Sequence, residues 1–246
     1  MEYLYGRNPV LEALRAGRRS IHRLLVARGT HGLDELIQAA QRRHVPVELL
    51  DRHRLDQLSG DRHHQGVLAE AEPFAYVHLD DLLACAAEHE APPLLLVLDS
   101  LQDPQNFGTL LRTAQACGAH GVVIPEHRAV GITPAVSSAS AGAIEHLLVA
   151  RPTNLTRALQ ALKEREVWVY GLAVEAPRPF WEVDWTGPVA VVVGSEGAGL
   201  GRLVRETCDE LVRIPMAPEA VQSLNAAVAG SLVIYAAFQQ RSYPSR

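Results

Sequence analysis

Apolar positions in residues 7–16 (RNPVLEALRA) fall at helical spacing and predict a helix, with Asn8 as N-cap, Pro9 at the first helical position and Gly17 as terminator. IHRLLVA (21–27) then predicts a strand, LDELIQAAQRR (33–43) an amphipathic helix and VPVELL (45–50) a second strand. DRHRLDQLSG (51–60) predicts a short helix closed by Gly60, and QGVLAEAE (65–72) alternates as a third strand. Residues 1–75 are thus expected to form a small α/β domain. A helix at 78–90 and the Pro92-Pro93 pair mark 76–93 as a linker, because paired prolines stop a helix. Beyond it five apolar runs alternate with helical stretches: LLLVLD (94–99), GVVIP (121–125), VWVYGL (167–172), VAVVVG (189–194) and LVRIP (211–215). The helices between and after them are expected at 105–117, 134–143, 154–165, 200–208 and 223–240. Near-continuous Val/Ile/Leu runs of this kind predict a parallel sheet covered on both faces, so 94–246 is expected to be a second α/β domain. In such a sheet ligands bind beyond the C-terminal strand ends.

Charge divides along the same line. The net charge is −5, yet residues 1–75 carry 11 arginines against ten acids, together with six of the 11 histidines. Bulk electrostatic coating of nucleic acid is excluded, and any bias toward RNA sits in the first third. Three widely separated cysteines, Cys85, Cys117 and Cys208, match no metal-ligand spacing and fit a reducing cytoplasm, so no metal is expected. The longest weakly polar run, Ala226 to Phe238, is too short and broken to span a bilayer, and no membrane partner is expected.

Three segments after strands carry candidate chemistry. DSLQDPQNFGTLLRTAQACGA (99–119) puts Asn106 and Gly108 where a loop becomes a helix, with Arg112 further along it. A helix N-terminus beside a polar loop suits an anion such as an RNA phosphate, though Asn106 reads equally well as a helix cap and Arg112 as half of a surface pair. VVVGSEGAGLG (191–201) is a glycine turn without the lysine of a phosphate loop or the G-x-G-x-x-G of a dinucleotide fold, which argues against a nucleotide-binding oxidoreductase. Glu196 within it would repel phosphates and favours a cationic or hydroxyl-bearing ligand. RIPMAPEAVQSLNAAVAGSLVIYAAF (213–238) places Met216 in a loop, Ser223 as a candidate N-cap and Asn225 at the mouth of a long apolar helix.

Taken in order, DPQNFGTLLRTA, GSEGAGLG and IPMAPEAVQSLNAAVA resemble the motifs of the SPOUT superfamily of RNA methyltransferases, in its ribose 2′-O-methylating branch. YGRNPVLEALRAG and HQGVLA (64–69) resemble the RNA-binding domain that precedes the catalytic domain in rRNA-directed members. The resemblance implies a parallel sheet with a C-terminal trefoil knot, which general topology rules would not suggest. It implies S-adenosylmethionine as cofactor, held around Leu172, Gly194, Ile214, Met216 and Leu224. Catalytic roles fall on Asn106, Arg112, Glu196, Ser223 and Asn225, with Arg112 clamping a phosphate beside the target ribose. It further implies a homodimer paired through the last helix, whose partner is expected to contribute Asn106. The implied substrate is a guanosine of 23S rRNA; tRNA, or an RNA-binding role without catalysis, are the alternatives. In one place the chain departs from the pattern: Pro218 stands where a glycine is implied two residues after Met216, and Ser223-Leu224-Asn225 arrives one residue late.

Overall fold

The structure is a computed structural model describing every residue except Asp61, Arg128, 218–222 and 244–246. In chain order its first elements are β1 (Glu2–Tyr5), α1 (Arg7–Ala16), β2 (Ile21–Ala27), α2 (Asp34–Arg42), β3 (Val47–Leu50), α3 (Arg52–Ser59) and β4 (Val67–Ala71). Then follow α4 (Leu79–Glu88), β5 (Leu94–Leu98), α5 (Pro104–Ala116), β6 (Gly121–Val123), α6 (Pro134–Ala139) and β7 (Val149–Ala150). The last third holds α7 (Leu155–Lys163), β8 (Trp168–Leu172), β9 (Arg178–Pro179), β10 (Val189–Val193), α8 (Arg202–Thr207), β11 (Glu210–Arg213) and α9 (Ala226–Ser242). The chain divides into two compact units, Met1–Ala75 with Ile132–His146, and Tyr76–Gly131 with Leu147–Arg246.

The first unit is a four-stranded sheet in the order β1-β4-β2-β3, antiparallel except between β2 and β3. Alternation along β2 sends Leu24 and Val26 to one face, where they meet Val10 and Leu14 of α1 and Leu36 and Ala40 of α2. Leu25 and Ala27 point to the other face, against Leu55 of α3. Helix α1 begins at Gly6, whose φ of 93° turns the chain straight out of β1, so the N-cap is Gly6 and not Asn8. Residues 132–146, expected with the larger sheet, pack instead on α1. The Glu145 carboxylate lies 3.2 Å from Arg19, with those side chains only 1% and 3% exposed, and accepts the Ser137 hydroxyl at 3.0 Å. Burial pushes the Glu145 carboxyl up from its ordinary range while Arg19 opposes that shift. Nearby, His146 bonds Glu12 at 2.7 Å.

The second unit is a seven-stranded parallel sheet in the order β7-β6-β5-β10-β8-β11-β9. Central β5 and β10 are buried throughout, as the unbroken LLLVL and VAVVV runs require. Leu95, Val97, Ala190 and Val192 face α4, α7 and α8 through Leu82, Leu159 and Val204. On the opposite face α9 lies so close that a Cβ at Gly230 would come within 2.6 Å of Leu110 and 2.8 Å of Val193. Residues 76–93, expected as linker, contain α4, and Leu82 and Ala86 are fully buried. Among the described residues, no helix is long and apolar enough to cross a membrane. Pro218, Glu219 and Ala220, which carry the departure between β11 and α9, lie outside the described residues.

Candidate active site

Strands β8, β10 and β11 end side by side, and a cavity of about 460 Å³ opens beyond them. Leu172 ends β8, Gly194 follows β10, Ile214 and Met216 follow β11, and Leu224 precedes α9; all five expected cofactor-binding residues line the cavity. So do Glu196, Ser223 and Asn225.

The glycine turn after β10 has a local cause. Ser195 and Gly199 exchange backbone hydrogen bonds at 3.1 and 3.0 Å, folding 195–199 into a tight hairpin with Gly197 and Gly199 at positive φ. That hairpin folds back on Gly194, where a Cβ would stand 2.2 Å from the Gly199 carbonyl carbon. Only glycine fits there. The hairpin is anchored from behind by Asp99 at the end of β5. Its buried carboxylate accepts the Gly201 N–H at 2.7 Å, at the start of α8, and the Ser100 hydroxyl at 3.0 Å.

A chain of amides crosses the mouth of the cavity. The Asn225 oxygen caps α9, accepting from Ala227 at 2.8 Å and Val228 at 3.3 Å, so its amide nitrogen must point outward. That nitrogen donates to the Asn106 oxygen at 3.1 Å, and the Asn106 nitrogen in turn donates to a carboxylate oxygen of Glu196. Each amide has its orientation set by the one before, and the series ends on an acceptor that needs no proton. Asn106, Glu196 and Asn225 are thereby brought together within one chain. The cap of α9 is Asn225 and not Ser223, which is exposed at the cavity edge. Likewise Asp103 caps α5 through Gln105 and Asn106, with Pro104 at its first position, which releases the Asn106 side chain for the amide series.

Arg112 is not part of this network. It lies six residues beyond Asn106 on α5, about 120° around the helix and 9 Å along it. It is exposed and makes no hydrogen bond or ion pair among the described residues.

The cavity is lined by one carboxylate and, among the described residues, no cationic side chain. Such a lining suits a ligand with a positive centre and hydroxyl or amino groups, and repels a nucleotide phosphate. Backbone groups at three strand ends offer the remaining donors and acceptors. The volume and donor set fit S-adenosylmethionine. No group of three or more His, Cys, Asp or Glu that could hold a metal ion occurs among the described residues.

Comparison with known proteins gives the same direction. Residues 93–235 match the SpoU rRNA Methylase family, and residues 3–77 match the RNA 2′-O ribose methyltransferase substrate binding family. The chain is 44% identical to YacO of Bacillus subtilis (strain 168), named as a TrmH family tRNA/rRNA methyltransferase, over 98% of this chain and 96% of the relative. A protein of Mycobacterium bovis, named as an uncharacterized tRNA/rRNA methyltransferase, is 46% identical over 99% of this chain and 76% of its own length. Among solved structures, the SpoU methyltransferase AviRb from Streptomyces viridochromogenes, crystallised with AdoMet, superposes with a TM-score of 0.82 at 27% identity, over 99% of this chain and 91% of AviRb.

Proposed function

Because the chain belongs to the SpoU rRNA methylase family, a family of RNA methyltransferases, we propose that it methylates a ribose 2′-hydroxyl of structured RNA, and more narrowly a guanosine of 23S rRNA. The observation that carries the reading is the cavity at the ends of β8, β10 and β11, whose described lining holds no cationic side chain and which is bordered by the Asn225–Asn106–Glu196 series. S-adenosylmethionine, when bound there, supplies a methyl group activated by its sulfonium. The protein's own tasks are then to align the hydroxyl and take its proton. Glu196, aimed by Asn106, would accept that proton and so ready the ribose oxygen as nucleophile. Ser223 at the cavity edge orients the incoming ribose. Arg112 grips the neighbouring phosphate, since a guanidinium bonds phosphate through two parallel N–H groups and holds its own proton too firmly to act as a base.

Residues 3–77 match a substrate-binding family, which supports assigning RNA selection to the first unit. Pairing of two copies through α9 and the implied trefoil knot belong to the same reading. The relatives' names cover both tRNA and rRNA, so tRNA is the rival substrate.

Two measurements test this. Calorimetry should show binding of S-adenosylmethionine and none of NAD; absence of heat with the former leaves an RNA-binding protein without catalysis. Mapping ribose methylation across rRNA and tRNA, with and without the gene, should reveal one lost methyl group in 23S rRNA. For the clamp, Arg112→Ala should cut methyl transfer about 100- to 1,000-fold with the cofactor still bound. Arg112→Lys keeps the charge without the fork and should recover little; near-wild-type activity of the lysine variant would replace the clamp by simple attraction.

A further inference from the structure

A second cavity, of about 590 Å³, lies within the first unit at the N-terminus of α1. We propose that it seats backbone phosphates of the substrate RNA through Arg7, Arg28 and Arg52. The proposal rests on the reading that the chain modifies RNA, and specifies which side chains hold that RNA and by which of its groups.

The charge pattern carries the argument. Three other arginines of this unit meet carboxylates, Arg15 with Glu12 and Glu35, Arg19 with Glu2 and Glu145, and Arg23 with Glu48 and Glu70, while Arg43 and Arg54 bond the oxygens of neighbouring carbonyls and of Gln57. Arg7, Arg28 and Arg52 instead converge on a cavity whose described lining includes no carboxylate. Arg52 has no ion pair among the described residues, and Arg28 has only Asp51 at 3.7 Å, with both side chains largely exposed. An exposed pair of that kind contributes little, so Arg28 is free to change partner.

The floor of the cavity is preformed. Arg7 donates to the His31 carbonyl at 2.9 Å and the Gly32 carbonyl at 3.4 Å, which fixes its guanidinium. Its own backbone N–H donates to the Gln65 side-chain oxygen at 2.9 Å. Thr30 crosses so near Gly66 that a Cβ there would stand 2.5 Å from its hydroxyl oxygen. The Asn8 N–H, in the first turn of α1, has no acceptor within the helix, and glycine at the cap supplies none from a side chain. Fixed charge on the floor, exposed charge at the rim and a helical N–H without an acceptor in its own helix together favour an oxyanion. Guanidinium forks and helix N-termini contact phosphate and position a nucleic acid without reading its sequence. The two cavities are thus opposite in kind: one offers a carboxylate to a cation, the other three guanidinium groups to an anion.

The test is a double substitution, Arg28→Ala with Arg52→Ala, in the full-length chain. A control removes the same charge from exposed positions on α7 and α8, Arg157→Ala with Arg202→Ala. Binding to transcribed 23S rRNA and to a tRNA pool is measured across a salt series, alongside calorimetry with S-adenosylmethionine. The logarithmic salt slope should become shallower by about 1 to 2 for the cavity variant and stay unchanged for the control, since each lost phosphate contact removes about one. Cofactor affinity should not change in either. A slope equal to the control's would overturn the proposal, as would a loss confined to particular base sequences at unchanged slope. Failure of the wild-type chain itself to bind either RNA would instead overturn the reading on which the proposal rests.

Discussion

Asp99 joins two stretches 102 residues apart, holding the Gly201 N–H with the carboxylate of a residue that is only 6% exposed. A charged hydrogen bond of this sort contributes about 1.5–3 kcal/mol, and here it sets where the hairpin bearing Glu196 stands. Asp99→Asn keeps the shape and removes the charge. It should raise the dissociation constant for S-adenosylmethionine about tenfold or more by calorimetry, since each 1.4 kcal/mol is a factor of ten. A variant that loses thermal stability but binds the cofactor as wild type does would reduce Asp99 to a purely structural anchor. The role of Asp99 was not legible in the sequence, where an aspartate ending a strand looks like any loop carboxylate; the one signal was its place at the end of an unbroken apolar run. That Asn106, Glu196 and Asn225 lie together was expected from the resemblance of three separate segments, but their order of hydrogen bonding was not. Ser223 and Asn225 are both good caps by residue type, and the choice between them depends on a contact with Asn106 from a distant helix.

Helix α9 buries Ala227, Gly230, Val233, Ile234 and Ala237 against its own unit. Val228, Leu232 and Tyr235, spaced i, i+4, i+7, form a second apolar stripe that stays exposed in the single chain. If two copies pair through this stripe, Leu232→Glu with Tyr235→Glu should turn a dimer into a monomer by light scattering at micromolar concentration. An unchanged mass would move the pairing surface elsewhere, and a wild-type monomer would remove it. The long central elements were legible because five or more consecutive apolar residues leave little choice of environment, as in β5 and β10. The strands that escaped notice are β1, β7 and β9, each four residues or fewer and each at the edge of its sheet. Segments that short cannot display a period, and they form strands because a neighbour offers them hydrogen bonds.

At the scale of the whole molecule, the boundary between units is not a single point in the chain. Residues 132–146 were expected with the larger sheet because they lie between two of its strands, and their packing on α1 depends on Arg19 and Glu12, which no local pattern announces. Glu145→Ala would leave Arg19 buried with Glu2, at 3.1 Å, as its one carboxylate among the described residues, beside the Phe74 ring. Loss of one partner of a buried pair costs about 3–5 kcal/mol, and Glu2 places this case near the lower figure. Denaturant titration should show that loss; a change under about 1 kcal/mol would mean the pair is not closed in solution. Deleting residues 1–75 would likewise expose Val136 and Ile144, so the part played by the first unit is better tested by surface substitutions than by truncation. The same interleaving has a consequence for biosynthesis. Ala75, the last residue of the unit's longer stretch, leaves the ribosome about seventy positions ahead of His146, which ends the segment that completes it. At ~5–20 residues per second, that interval lasts roughly 4–14 s, during which the face of α1 that will receive 132–146 is uncovered. The earlier-made stretch of this unit therefore waits for a later one, and a nascent-chain binder that recognises apolar surface has its opportunity in that interval.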